Sequence, residues 1–332
     1  MNAFASGQLD LAPRRRGRRS SIGTWRWSDR IVLLGAWAAG LTLCAIAGAI
    51  VLYMGVRGIQ YLHPSLLVSS PEAALDQSHS GGILDPILGT ALLSLIGILI
   101  ATPLAVCSAV WIAEYGRPRW LGRIMESSIE VIAGTPDIVI AIFGLALFQT
   151  QLLAGFSFVS TVGGAGASGG GVFGRSFLAA GSMMSLIAIP PIFAATREGL
   201  QALPTHMREA AYALGKTRIA TIRRVLLPGV RSNIATGATL GISRIIGDTA
   251  IVVLLLGASL RIEPAGSTPG LDVLRGTGST LTSFVYDNSP AGEGNAPQKA
   301  YAAAFLLMLL VLALNATVNL IARAHERRTG QS

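Results

Sequence analysis

The sequence has little charge and almost no cysteine. Only 13% of its 332 residues are charged, about half the share usual for a soluble domain, while 51% are hydrophobic. The two cysteines, Cys44 and Cys107, both lie inside apolar runs, where a thiol behaves as a small hydrophobic group. This composition excludes a disulfide framework, gives no metal site and indicates an integral membrane protein.

Aromatic residues are also few, at 6% of the chain. They do not alternate with the basic residues in a way that would stack on bases, and the basic segments border apolar runs. The net charge of +9 therefore does not indicate a nucleic-acid partner. It reflects where the basic residues lie along a membrane protein.

Six apolar segments are long enough to cross a bilayer as helices, which takes about 20 residues each. The first continues past the small-residue box Ala45-Ile46-Ala47, so it is interpreted as a transmembrane helix and not as a cleaved signal peptide. The stretch 160–174, rich in Gly, Ser and Ala, is interpreted as a flexible connector. The predicted spans are 31–56, 86–113, 129–153, 177–195, 232–257 and 300–322.

Six spans would place both termini on one side of the membrane, and the basic residues indicate which side. Of the 26 Lys and Arg residues, twenty fall in the two tails and the two loops on their side, and five fall in the opposite loops. The positive-inside rule therefore predicts a multi-pass protein of the inner (plasma) membrane with both termini cytoplasmic. The tails are 1–30 and 323–332, and a core of five spans covers 86–322. The remaining basic residue, Arg244, lies inside a span.

Gly215-Lys216-Thr217 has the ending of a nucleotide-binding P-loop but not the rest of that motif. The full motif needs a glycine five positions before Gly215, where Ala210 stands, and a preceding strand, which the pattern does not predict. We therefore predict no ATP site and no cofactor in this chain. Nucleotide hydrolysis that drives it would come from a separate subunit.

A different pattern covers the same segment: Glu209-Ala210-Ala211, then Gly215, Val225 and Leu227-Pro228. It resembles the EAA loop of type I ABC importer permeases, from which it departs only in having Val225 for isoleucine. The resemblance implies that the cytoplasmic loop 197–230 forms a short helix that docks on an ATPase subunit. Ala210 and Ala211 would allow close packing, while Gly215 would end the helix and Pro228 would start the next element. The alternative is a basic helix lying on anionic lipid.

The segment GISRIIGDTA contains Arg244, Gly247, Asp248 and Thr249. It resembles the R-x-x-G-E-T segment of phosphate-specific ABC permeases, with Asp248 in place of the family's glutamate. The segments TPLAVCSAVWIAEYG and GTPDIVIAIFGLALF and the run from 189 to 215 are similar to the shorter, PstA-type permease of that group. The resemblance covers 86–257. It implies an all-α integral membrane protein with six transmembrane helices and the type I ABC importer permease (MetI-like) fold.

Physical chemistry gives these residues a role in a substrate path. Arg244 would lie about 18 Å into the fifth span, near the bilayer midplane, where transporter substrate sites lie. A guanidinium stays charged and binds phosphate oxygens in pairs. Asp248, one helical turn later, is predicted to hold Arg244 between transport events. The resemblance implies that Thr249 also lies on the path. The alternative is an internal ion pair that only locks the helix against a neighbour. Two further pairs are interpreted as helix–helix contacts: Glu130 with Asp137, and Asn315 with Asn319.

The resemblance implies a permease subunit of an ATP-driven importer of inorganic phosphate that performs no covalent chemistry itself. Its partners would be a sister permease, a dimer of cytoplasmic ABC ATPase subunits, an external phosphate-binding protein and membrane lipid. Two near alternatives stay open: the sister, PstC-like permease, and a permease for another oxyanion such as sulfate or molybdate. A third, from another class, is an autonomous channel or secondary transporter.

Overall fold

The structure is a computed structural model that describes residues 27–72, 81–116, 118–160, 171–257, 259–265, 270–290, 292 and 296–329. The chain divides into two compact units, Met1–Tyr53 and Met54–Ser332. In the first unit, the described residues form the N-terminal part of one long helix. Predictions for the tail before residue 27, for 161–170 of the glycine-rich connector and for the last three residues lie outside the described residues.

Helices form nearly all of the described secondary structure. The first five are α1 (Trp27–Tyr61), α2 (Pro64–Val68), α3 (Leu84–Val110), α4 (Arg119–Gly134) and α5 (Asp137–Phe148). The next five are α6 (Phe177–Ala202), α7 (Thr205–Ala213), α8 (Arg218–Thr221), α9 (Leu227–Gly229) and α10 (Arg231–Gly247). The last four are α11 (Ala250–Leu255), α12 (Leu271–Arg275), α13 (Leu281–Asn288) and α14 (Pro297–Thr329).

Shorter elements connect some of these helices. A π-helical turn, Trp111–Tyr115, extends α3, and a second one, Ile222–Leu226, joins α8 to α9. A 3-10 turn, Gln151–Phe156, follows α5. The two ends of the glycine-rich connector pair as short antiparallel strands, β1 (Val159–Ser160) and β2 (Gly171–Val172).

Among the described residues, four helical segments are long and apolar enough to cross a membrane: Asp29–Tyr61, Leu84–Tyr115, Phe177–Ala202 and Pro297–Thr317. They correspond to the first, second, fourth and sixth predicted spans, and each has the length that a bilayer requires of a helix. The predicted all-α membrane architecture is confirmed. The third and fifth predicted spans have other forms, so the count of six stays a prediction.

The predicted third span, 129–153, is not one straight helix. α4 and α5 meet at an angle of 106°. Pro136 has no N–H to donate and favours extended backbone at Thr135, whose ψ is 131°. One helix therefore ends at Gly134 and another begins at Asp137. The strongly apolar part of the predicted span is α5, whereas α4 is amphipathic.

The predicted fifth span, 232–257, is broken near its centre, so the expectation of one continuous helix was wrong. α10 has 17 residues and α11 has 6, with Asp248 between them in an extended conformation (φ −79°, ψ 135°). The Asp248 carboxylate competes with helical hydrogen bonding, because its Oδ2 accepts the backbone N–H of Ile251 at 2.8 Å.

α6 lies at the centre of the fold. In its most apolar window 67% of the residues are buried, against 28% in the span formed by α3 and its π-turn. Small residues allow the neighbouring helices to approach it closely. Gly97 of α3 lies near Gly181 of α6, and a Cβ on Gly237 of α10 would come within 2.9 Å of the Ile192 Cα. The three helices α3, α6 and α10 therefore pack as one body.

The region between α11 and α14, predicted as an external loop, contains two helices. α13 is buried through Leu281 and Phe284, and its start is fixed by reciprocal hydrogen bonds between Thr280 and Ser283. The Leu281 N–H also donates to Thr90 Oγ1 of α3 at 2.9 Å. Composition alone did not predict this attachment to α3.

Candidate functional site

Arg244 lies in the last turn of α10, beside the first residue of α5. Its Nη2 is 3.5 Å from the Oδ1 of Asp137, and the two side chains are 39% and 34% exposed. The Asp137 Oδ1 is shielded from solvent and accepts no hydrogen bond from the described residues. The contact is therefore a loose ion pair that joins α5 to α10.

Asp248 is buried, at 8% exposure, and its carboxylate stabilises the start of α11 through Ile251. Its backbone carbonyl accepts the Thr282 hydroxyl of α13 at 3.2 Å. The predicted direct pairing of Asp248 with Arg244 is not what the structure has. The one-turn spacing that would place both side chains on one helix face does not hold, because α10 ends at Gly247.

Thr249 follows Asp248 and is half-buried, and its carbonyl accepts the Val253 N–H at 3.0 Å. The three predicted path residues thus lie at the break between α10 and α11, and Asp137 comes to them from the bend between α4 and α5. The sequence signal for Asp137 is its position directly after Thr-Pro, at a helix start where a negative charge is favoured.

Of the residues predicted to make helix–helix contacts, one joins two helices in the structure. Asp137 joins two helices through Arg244. Glu130 is exposed on α4, and the Asn315 amide donates to Val311 of its own helix at 3.0 Å. The side chain of Asn319 lies outside the described residues.

The segment that resembles an EAA loop has the predicted helical form. Glu209, Ala210 and Ala211 lie in α7, which ends just before Gly215, and the positive φ of 71° at Gly215 favours glycine there. Leu227 and Pro228 begin α9. A helix, not a strand, precedes Gly215-Lys216-Thr217, which agrees with the exclusion of a P-loop.

This loop presents an exposed surface with several apolar side chains. Ala211 is buried at 4%, which holds α7 against the core, whereas Glu209 and Ala210 face outward. Leu214 is 78% exposed and Ile219 is 71% exposed. Such exposed apolar side chains could supply contact area for a protein partner.

Two arginines hold the loop to the end of the π-turn that extends α3. The Arg208 Nε of α7 is 2.9 Å from the Glu114 Oε1, and its other nitrogens donate to the carbonyls of Leu203 and Leu200. The Arg218 guanidinium of α8 lies 5.1 Å from the ring centre of Tyr115. Sequence reasoning missed both contacts, since the partners are about a hundred residues apart and follow no shared pattern.

Solved structures share this fold. A chain of a bacterial alginate ABC transporter, in complex with an alginate pentasaccharide-bound periplasmic protein, matches with a TM-score of 0.59 at 17% identity, over 91% of this chain and 97% of that chain. A chain of the inward-facing MetNI methionine ABC transporter matches with a TM-score of 0.50 at 19% identity, over 73% of this chain and 94% of that one. The fold is that of type I ABC importer permeases, as predicted.

The family follows from the sequence. Residues 101–331 match the binding-protein-dependent transport system inner membrane components, and the chain belongs to this family. The phosphate transport system permease protein PstC of Xylella fastidiosa (strain 9a5c) is 30% identical over 85% of this chain and 84% of its own length. PstA 1 of Mycobacterium tuberculosis (strain ATCC 25618 / H37Rv) is 29% identical over 78% of this chain and 75% of its own length. The predicted relationship to phosphate ABC permeases is confirmed, and both types match at nearly equal identity.

The capping role of Asp248 gives a first prediction. Asp248→Ala removes the acceptor for the Ile251 N–H and should lower the free energy of unfolding by about 1 kcal/mol, the usual loss for a helix cap. Asp248→Asn keeps an acceptor oxygen and should retain most of that stability. Thermal unfolding of the detergent-solubilised protein measures both. Equal losses in the two variants would contradict the capping role.

Proposed function

We propose that this chain is a transmembrane subunit of an ATP-driven importer of inorganic phosphate. In this proposal it is the PstA-type permease and encloses the path together with a PstC-type sister. An external phosphate-binding protein delivers the anion, and a dimer of cytoplasmic ABC ATPase subunits drives transport. The chain crosses the membrane six times with both termini in the cytoplasm, α10 and α11 together making the fifth crossing. The names of its relatives and the uneven distribution of basic residues support this proposal.

The observation that carries the proposal is the accessible guanidinium of Arg244. An arginine at the centre of a membrane helix costs ~2.5–3.5 kcal/mol on insertion scales. A partly exposed ion pair offsets only about 0–1 kcal/mol of this, and the pair with Asp137 is of that kind. An anion that passes beside Arg244 gives a reason to keep the charge there. Phosphate suits it, because a guanidinium can bind two of its oxygens at once.

Asp137 acts in this proposal as the internal competitor of phosphate. It neutralises Arg244 when the path is empty and gives way when the anion arrives. Its carboxylate, at the first residue of α5, is then stabilised by the free N–H groups and the dipole of that helix. The competition keeps phosphate binding shallow, so the anion can leave on the other side.

The loop from α7 to α9 is the docking surface for the ATPase in this proposal. Exposed Leu214 and Ile219 provide apolar contact area, and Glu209 and Ala210 face outward beside them. Closure of the ATPase dimer on ATP would push this loop and change which side of the membrane the path faces.

Replacing Arg244 tests the transport role. Arg244→Gln should lower phosphate uptake by the reconstituted complex roughly 10- to 150-fold, equivalent to about 1.5–3 kcal/mol of lost charged hydrogen bonding. Uptake of labelled phosphate into proteoliposomes measures the effect, with sulfate as a competitor to test selectivity. Arg57→Gln, at an exposed position of α1, is the matched control and should transport normally. Undiminished uptake by Arg244→Gln would refute the proposed site.

Asp137→Asn separates the competitor role from an architectural ion pair. Without the competing charge, the half-saturating phosphate concentration and the maximal rate should both fall, by up to about fivefold, equivalent to ~1 kcal/mol. Uptake kinetics over a range of phosphate concentrations provide the measurement. A less stable complex with an unchanged half-saturating concentration would instead favour a pair that only holds α5 to α10.

The docking surface is tested by a charged substitution at an exposed position. Leu214→Asp should leave the permease folded, since this side chain is 78% exposed, but the ATPase subunits should no longer co-purify with it. Leu152→Asp is the matched control, because Leu152 is 89% exposed and lies in the turn after α5. Equal recovery of the ATPase with both variants would rule out docking at this loop.

A further inference from the structure

The part-buried ion pair between Glu114 and Arg208 joins two segments that lie 94 residues apart in the sequence. Glu114 lies in the π-turn that extends α3, and Arg208 lies in α7 of the loop. Their side chains are 7% and 22% exposed, and the Nε–Oε1 distance is 2.9 Å. Breaking this pair would leave the largely buried Glu114 carboxylate without its cationic partner, which favours movement of the two residues as a unit.

A second contact from the same loop reaches the next residue of the π-turn. The Arg218 guanidinium, at the first position of α8, lies over the ring of Tyr115. Helices on both sides of Gly215 therefore hold two successive residues at one end of α3. This arrangement attaches the loop to α3 as well as to α6 and α10, with which it is continuous in sequence.

α3 also contacts α10, at a position closer to the start of α3. A Cβ on Gly97 would come within 2.8 Å of the Ile245 Cδ1, so α3 is in close contact with the residue that follows Arg244. A displacement of Glu114 along or across the axis of α3 would therefore move Ile245, next to Arg244, because packed helices transmit strain. The π-turn itself is a less regular helical element of the kind often found at functional sites.

We propose that Glu114 is the positioning residue that couples the loop to the substrate path. When the ATPase displaces α7, the ion pair with Arg208 transmits the displacement through Glu114 to α3. The movement of α3 then shifts the end of α10 that carries Arg244. The inference rests on the proposed function in that an ATPase supplies the push, but not on phosphate being the cargo. Loss of Glu114 leaves the ATPase bound to the loop, while α3 follows the loop less closely.

The chain offers a matched control for this pair. Glu126 of α4 forms an ion pair with Arg197 of α6, with 2.6 Å between Oε1 and Nη2, at side-chain exposures of 28% and 37%. Both residues of this pair lie outside α7 to α9 and outside the π-turn. Glu126→Ala therefore removes a carboxylate partner of an arginine without touching the proposed coupling route.

The first experiment measures phosphate taken up per ATP hydrolysed by the reconstituted complex. Both rates are produced by the same assembled complexes, so partial loss of assembly does not change their ratio. Glu114→Ala should lower the ratio roughly 2- to 30-fold, the range produced by changes within coupling networks. Glu114→Gln, which keeps the shape and one acceptor oxygen, should lower it less, and Glu126→Ala should leave it at the wild-type value. An unchanged ratio in Glu114→Ala, or equal losses in Glu114→Ala and Glu126→Ala, would overturn the proposal.

The second experiment does not depend on the cargo. Cys107 is exposed on α3, two turns before Glu114, so a nitroxide attached to it in a Cys44→Ser background reports the movement of that helix. Addition of ATP should change the spectrum to the same extent in the wild type and in Glu126→Ala, and to a smaller extent in Glu114→Ala, where only the Arg218–Tyr115 contact still joins the loop to the π-turn. The same response in all three proteins would overturn the inference. A complex that shows the expected spectra but takes up no phosphate would count against the proposed cargo alone.

Discussion

Within a bilayer every backbone N–H and C=O group must find a partner inside the protein, and this constraint determines how the site is built. The break between α10 and α11 frees such groups. The Asp248 carboxylate takes up the Ile251 N–H, and the Thr282 hydroxyl donates to the Asp248 carbonyl. Since Thr282 belongs to α13, which is itself attached to Thr90 of α3, the break has a fixed geometry. The position of Arg244 at the end of α10 depends on that fixed geometry.

Close packing at glycines gives α3, α6 and α10 their common role. Gly181 and Gly237 have no side chains to keep these helices apart, so the helix backbones lie near each other. Such contacts are sensitive to volume and leave little room for independent movement. In the proposed transporter, a displacement at the loop end of α3 would therefore be carried along the helix and not absorbed by loose packing.

Hydrophobic length was sufficient to predict the four long helices. The helical loop and the family were implied by resemblance of the segments around Glu209 and Arg244 to known permeases, and the glycine at 215 indicated where the loop helix ends. Hydrophobic length could not predict the bend at Pro136 or the break at Asp248, because the apolar composition continues through both. A window average treats Asp248 as one polar residue in a span, whereas its short carboxylate can replace a helical acceptor. The partner of Arg244 was misassigned for the same reason, since helical spacing holds only within one helix. The contacts of Glu114 with Arg208 and of Tyr115 with Arg218 depend on tertiary packing, which sequence spacing does not encode.

The two arginine–carboxylate pairs differ in burial, and this difference suits the separate roles proposed for them. Glu114 is 7% exposed and lies 2.9 Å from Arg208, which is 22% exposed, so separating them would leave a mostly buried carboxylate without its partner. Asp137 is 34% exposed and lies 3.5 Å from Arg244, so either side chain can exchange its partner for an anion or for water at small cost. A pair that must transmit force is best buried and short. A pair that must yield to a substrate is best loose and accessible. In the proposed transport cycle the first kind of pair lies at the loop end of α3 and the second lies at the substrate path.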